Sequence, residues 1–399
     1  MSAVSRFQEY LRIKSVQPQP DYSSIDKFLQ NQSKEIGLQY RKIEVVKDKP
    51  IILLTWTGQV KEAIIFNSHT DVVPVSAEHW KHDPFAAVID DNKIYARGSQ
   101  DMKCVGMQYL EACRELKKTD FKPYFTFVLS FVPDEEVGGH DGMEKWVTKD
   151  TFLELNPIFA FDEGLASPTN CFKLYYGERA PFWIKIKSTG VAGHGSLLLE
   201  NVSTLKLLQV LNKVKEFRDI QVAKQENGAK IGDLTSANIT MLTSGKQVNI
   251  VPEYAEASVD IRVTPHMTFL EMENLISSWC ALPGVTVEYI QKFDNQNVTK
   301  TKNNPFYDAV LASCSALSVK VENEIFPGAT DSRYIRKAGI PAIGISPIRN
   351  TPVLLHAHNE YLTVDGYLEG ITFYTNLMQN VQEIKLPLPK LVHVLADDK

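Results

Sequence analysis

Several short stretches of this sequence carry side chains that bind metals or move protons. The apolar run Ala63-Ile-Ile-Phe66 leads through Asn67 and Ser68 to His69, and Asp71 follows two residues later. Alternation along a strand lets positions 69 and 71 project from the same side of its exit. The segment Arg97-Gly-Ser-Gln-Asp101-Met-Lys103 supplies a second carboxylate. The run Tyr124 to Val132 ends in Pro133-Asp-Glu135-Glu136, and Ile158 to Phe161 ends in Asp162-Glu163. His356-Ala-His358-Asn-Glu360 comes late in the chain. Taken singly, each has an ordinary explanation, such as a surface His-x-Asp or a solvated acidic turn. Taken together they do not, because adjacent carboxylates at strand ends repel one another unless a cation sits between them. Two imidazoles (His69 and His358) with three carboxylates (Asp101, one of Glu135 and Glu136, and Glu163) suit a two-metal catalytic centre in which one carboxylate bridges. A closed structural zinc site is excluded by the number of carboxylates and by the lack of cysteine among them. Asp162 competes with Glu163 for one ligand position, and His356 with His358 for another.

The elements that have to position these groups alternate between strand and helix. Gln39 to Val46, Ile51 to Trp56, Ala63 to Asn67, Tyr124 to Val132 and Ile158 to Phe161 read as strands. A helix from about Cys104 to Lys117 follows Asp101, with Val105, Tyr109, Leu110, Cys113 and Leu116 at helical spacing. Such alternation implies an α/β fold with a mostly parallel sheet and ligands outside the carboxyl ends of its strands. The character changes near Tyr176. Phe182 to Ser188 alternates polar and apolar residues as a one-sided antiparallel strand does, and further strand and helix runs follow to about Gln291. This stretch reads as an inserted α+β domain at 178–294, leaving 1–177 and 295–399 as the domain that carries the chemistry. Within the insert, Gly190 to Ser196 is a turn holding His194; across the two domains, Trp56, Trp146, Trp183 and Trp279 are read as packing in the two cores.

Composition narrows the class. The chain has 399 residues, 44% hydrophobic and 23% charged, the balance of a globular protein of two domains. A net charge of −5 without a basic block gives no footprint for nucleic acid. Cys104, Cys113, Cys171, Cys280 and Cys314 are scattered without framework spacing, which predicts reduced thiols and a cytoplasmic protein. The first residues read as an amphipathic helix with Val4, Phe7, Tyr10 and Leu11 on one face, and no run approaches a membrane span.

The order of these motifs resembles one family. His69-Thr-Asp71-Val-Val-Pro, Ala96-Arg-Gly-Ser-Gln-Asp101-Met-Lys, Pro133-Asp-Glu135-Glu136-Val-Gly-Gly, Gly193-His194-Gly-Ser, Val248-Asn249-Ile-Val-Pro252 and His356-Ala-His358-Asn-Glu360 are similar to motifs of the M20 metallopeptidase/amidohydrolase family. The resemblance runs from Arg6 to about Leu377. It implies a zinc-hydrolase catalytic domain with an inserted lid and dimerisation domain, and two Zn2+ per chain. Asp101 would bridge; His69 and Glu163 would complete one site, Glu136 and His358 the other. Glu135 would be the general base and Asp71 the group that orients His69. His194 would hold the oxyanion, and Asn249 and Arg333 the carboxylate end of the substrate. Residues 194–196 read His-Gly-Ser, where the family often has a small residue other than glycine. The family's homodimer through the inserted domain would bring His194 to the partner's zinc site.

The chemistry agrees with this resemblance. Amide hydrolysis needs an activated water, a carboxylate to move its proton and a donor for the oxyanion. The expected activity is hydrolysis of N-acyl-L-amino acids to a carboxylate and a free L-amino acid. The rivals are a dipeptidase of the same family and a non-catalytic binding protein on the same fold.

Overall fold

The computed structural model describes residues 1–398. The chain forms two compact units, one comprising Met1–Tyr176, Val298–Asn323 and Thr330–His393. The second runs from Gly177 to Asn297, where the sequence reading places 178 and 294, and also takes in Glu324–Ala329 and the segment after His393.

The first unit is built on an eight-stranded sheet. Its strands lie in the order Gln39–Val46, Lys49–Trp56, Thr126–Val132, Ala63–His69, Pro157–Asp162, Ala342–Ile345, Cys171–Glu178 and Lys320–Phe326. The middle four run parallel. Antiparallel pairing flanks them on both sides. The departure from a wholly parallel sheet has a local cause. Lys47 and Asp48, the latter at φ 62°, close a tight hairpin between the first two strands, and a hairpin can return only antiparallel. Ala63–His69 is buried along its whole length, as a central strand covered on both faces should be.

Helices Lys103–Leu116 and Val364–Asn380 pack together through Tyr109 and Tyr374, whose rings cross edge-to-face at 4.6 Å. Helix Ala3–Leu11 buries the apolar face read from its sequence, adding Arg6, whose guanidinium grips Glu111 through Nε at 2.6 Å and Nη2 at 2.5 Å. Two such forked bonds make this buried pair a rigid strut between helices.

The second unit is a four-stranded antiparallel sheet in the order Ser236–Ser244, Tyr254–Val263, Ala180–Thr189 and Val285–Lys292. Helices Ser203–Glu226 and Phe269–Trp279 contribute Leu207, Val210, Leu211, Val214, Met272 and Ile276 to its core. The first helix runs on past its last core residue, Val214, through helix-forming Gln, Lys, Ala and Glu residues. Trp183 is not a core residue. It points away from the packed face of its strand and lies 39% exposed beside the Arg262 guanidinium. All five cysteines are unpaired and buried. Among the described residues no helix is long and apolar enough to cross a membrane.

Candidate metal centre

Register puts the chemistry at one place. His69 pairs with Val132 on one side of its strand, and Phe66 pairs with Phe161 on the other. The carboxyl ends of three neighbouring parallel strands are therefore level, and His69, Glu135-Glu136 and Asp162-Glu163 emerge together. Asp101 arrives from the segment before helix Lys103–Leu116.

Asp101 lies between two imidazoles. Its Oδ1 is 3.0 Å from His69 Nε2 and its Oδ2 is 3.2 Å from His356 Nε2. His356 Nε2 is also 3.0 Å from Glu136 Oε2, and His69 Nε2 is 3.8 Å from Glu163 Oε2. The ligand atoms of His69, Asp101 and Glu136, and those of His69, Glu135 and Glu163, each fall within 4.8 Å of one another.

Contacts separate the members of both pairs that the sequence left open. Asp162 is consumed by Asn67 Nδ2 at 3.0 Å and Ser332 Oγ at 2.7 Å, which leaves Glu163 to face His69. His356, not His358, reaches Asp101 and Glu136. The backbone turns through left-handed conformations at His356 (φ 61°) and Asn359 (φ 57°), so the two histidines diverge. His358 lies instead against the ring of His79, at 5.0 Å between centroids.

The role expected of Asp71 also changes. The backbone carbonyl of Asp71, rather than its carboxylate, accepts from His69 Nδ1 at 2.9 Å. That keeps a proton on Nδ1 and turns Nε2, the nitrogen a metal would take, toward Asp101 and Glu163. The Asp71 carboxylate sits 3.8 Å from Nδ1 and receives three other donors: Gln17 Nε2 at 2.7 Å and the backbone N–H groups of Glu135 and Glu136 at 3.3 Å each. It thus holds the turn that presents the paired glutamates. On the other side of that turn Asp134 adopts φ 77°, a conformation uncommon for a residue with a β-carbon. Lys49 Nζ at 2.6 Å, the Asp141 N–H at 2.9 Å and the Tyr22 hydroxyl at 3.1 Å hold it there.

Electrostatics decides whether this cluster fits a cation. Burial, then Glu163, pushes Glu135 well above the usual carboxylate range. Burial and Asp101 push Glu136 up to about 7. Burial also raises Asp101, but the imidazoles of His356 and His69 outweigh it and hold that carboxyl low. Hydrogen bonds to Asp101 and Glu136 lift His356 to about 10, so here the imidazolium rings neutralise the carboxylates. Glu136 Oε1 is buried without a hydrogen-bond partner. An oxygen-rich buried cluster with two unblocked imidazole nitrogens and an orphaned carboxylate oxygen fits divalent metal.

Arg333 is buried and donates through Nη2 to the Gly138 carbonyl at 2.7 Å, on the turn after the paired glutamates. Asp331 was not singled out by sequence, yet its carboxyl is buried close behind the centre, shares Asn67 with Asp162 and is pushed up to about 8 by burial and by Asp162. A carboxylate two residues before Arg333 was its only sequence signal.

In the second unit, His194 and Asn249 lie beside each other. Gly193–His194 pairs with Ile250–Val251, and the Gly195 N–H donates to the Asn249 carbonyl at 2.8 Å. The Ser196 N–H donates to His194 Nδ1 at 3.2 Å, so the neutral ring carries its proton on Nε2.

Residues 65–380 match the family described as Peptidase family M20/M25/M40. The chain is 46% identical to mouse (Mus musculus) aminoacylase-1 over 390 residues, 96% of each chain. The fold is similar to an M20 family metallo-carboxypeptidase from Sulfolobus solfataricus, with a TM-score of 0.76 and 18% identity over 96% of this chain and all of the other. It is also similar to a dinuclear metal-binding M20 peptidase from Bacillus subtilis, with a TM-score of 0.70 and 14% identity over 96% and 98% of the two chains. The family match and the aminoacylase-1 relatives together define a hydrolase acting on amide bonds. The chain belongs to peptidase family M20/M25/M40.

Proposed function

We propose that this protein is a dizinc aminoacylase that hydrolyses N-acyl-L-amino acids to a carboxylate and a free L-amino acid. The observation that carries the chemistry is Asp101, with one oxygen toward each of two imidazoles. Likeness to mouse aminoacylase-1 supports the substrate class. Asp101 would serve both zinc ions, with His69 and Glu163 holding one and Glu136 and His356 the other, His356 taking the place first given to His358. Zinc, when bound, lowers the pKa of water to about 7 and polarises the amide carbonyl. Glu135 takes the proton of the attacking water and hands it to the leaving amine nitrogen. The Nε2–H of His194 donates to the tetrahedral oxyanion. Arg333 and Asn249 hold the substrate carboxylate, a task suited to the planar fork of Arg333.

Metal-depleted protein reloaded with zinc tests this reading. N-acetyl-L-methionine should turn over at least about tenfold faster than methionine dipeptides with a free amino group, the margin of about 1.4 kcal/mol that one polar contact supplies. A preference for the dipeptides would make the protein a dipeptidase.

The same reading makes the protein a cytoplasmic homodimer joined through the second unit, with His194 serving the partner's centre. Five unpaired buried cysteines support the compartment, which fractionation of expressing cells checks. Ser236–Ser244 supports the dimer. It is an edge strand of its sheet, exposed from Asn238 onward, with Met241 and Leu242 each 64% exposed. An uncovered apolar edge strand is a template for pairing with another chain. Leu242→Glu should shift sedimentation from dimer toward monomer. A wild-type chain that sediments as a monomer at micromolar concentration removes the dimer and the shared histidine together.

A further inference from the structure

Glu360 belongs to none of the roles above, yet it is fully buried and both its oxygens are filled. Oε2 accepts from Arg97 Nη1 at 2.7 Å and from the Gly98 N–H at 3.2 Å. Oε1 accepts from the Gln100 N–H at 2.6 Å, the Asp101 N–H at 3.3 Å and the Ser99 hydroxyl at 3.4 Å. The segment that ends in Asp101 is thus wrapped around one carboxylate, and that carboxylate stands on the segment that carries His356.

The lacing is reciprocal. Arg97 Nη1 donates back to the Ala357 carbonyl at 3.2 Å, next to His356. The Gln100 amide donates to the carbonyls of Pro352 at 3.1 Å and Tyr361 at 2.8 Å and accepts from the Leu354 N–H at 3.1 Å. The indole of Trp80 covers the Arg97 guanidinium at 5.3 Å. Two loops far apart in sequence therefore share one buried hydrogen-bond network, and each delivers one ligand of the same metal pair.

We propose that Glu360 is a positioning residue for the metal centre: by gathering four consecutive residues, Gly98 to Asp101, onto the segment of His356, it sets the separation of the Asp101 carboxylate from the His356 imidazole. The proposal rests on the dinuclear reading of the site. Charge-assisted bonds to backbone N–H groups are strong and directional, so they fix a main-chain path as well as stabilise it. Outer partners of ligands commonly govern metal affinity in this way.

The test compares two buried carboxylates of the first unit in full-length protein. Glu360→Gln keeps the shape, but either orientation of the amide turns an NH2 toward donors that already point at it. Glu111→Gln breaks the Arg6 pair, which holds two helices and no ligand. Zinc affinity is read by competition with a chromophoric chelator, and the thermal midpoint is read on metal-free protein. Glu360→Gln should weaken zinc binding at one or both sites by roughly ten- to a hundredfold. Glu111→Gln should lower the midpoint with zinc affinity within about twofold of wild type, as expected for a partner that touches no ligand. The positioning role is overturned if Glu360→Gln binds zinc within about twofold of wild type, or if Glu111→Gln weakens zinc as much at an equal loss of midpoint. Should Glu360→Gln not fold, Glu360→Asp keeps the charge toward Arg97 but is one methylene too short to serve the Gln100 and Asp101 amides as well. It should weaken zinc in the same assay, and unchanged affinity overturns the proposal. A wild-type chain that binds fewer than two ions overturns the dinuclear reading and this proposal with it, an outcome distinct from a two-ion protein indifferent to Glu360.

Discussion

Glu135→Gln should bind metal and substrate like wild type and turn over at least about a hundredfold more slowly, the lower end of general-base effects. Glutamine keeps the length and planarity of the side chain and loses only the ability to take a proton. The backbone that presents it is held independently, since the N–H groups of residues 135 and 136 rest on Asp71. The neighbouring acids are occupied: Asp134 with Lys49 and the Asp141 amide, Glu136 with His356. Steady-state kinetics with metal analysis by plasma emission checks the prediction. A fall in kcat at constant metal content and KM identifies the base, whereas near-normal turnover moves the base elsewhere.

Asp101→Ala should lose both metals and with them nearly all activity, His356→Ala one metal, and His358→Ala neither. The asymmetry follows from geometry. Asp101 gives one oxygen to each imidazole, so its removal opens both sites and leaves buried carboxylates without the charge that balances them. His356 meets Asp101 and Glu136 in the centre, while His358 lies tilted against the ring of His79. Metal content after exhaustive dialysis distinguishes the three variants. Loss of metal from His358→Ala with retention in His356→Ala would reverse the ligand assignment.

The strand ends were legible because central parallel strands are long apolar runs, and a carboxylate or histidine after such a run stands out. The ligand cluster followed from counting such endings. The alternatives that the sequence left open differ in side-chain direction, which spacing alone does not carry. Asp162 and Glu163 share one strand end, and only the contacts of Asp162 with Asn67 and Ser332 separate them. His356 and His358 share one loop, and only its left-handed turns separate them. Asp71 was read as the partner of His69 because the two are close in sequence, while its carboxylate serves a turn more than sixty residues later. The antiparallel pairings beyond the Lys47-Asp48 hairpin, and the exposed side of Trp183, depend on partners that no local pattern names.

The buried cysteines make the protein its own unfolding gauge. Burial raises Cys113 and Cys314 to about 12 and Cys280 to about 11, and the thiolate is the form that alkylating reagents attack. These three thiols are therefore both shielded and protonated at neutral pH, and alkylation counts the moments when their surroundings open. The five are distributed so that the count can be resolved. Cys104, Cys113, Cys171 and Cys314 lie in the first unit and Cys280 in the second. Mass spectra of peptides from a single alkylation time course would then rank the two units by how often each comes apart, without any substitution.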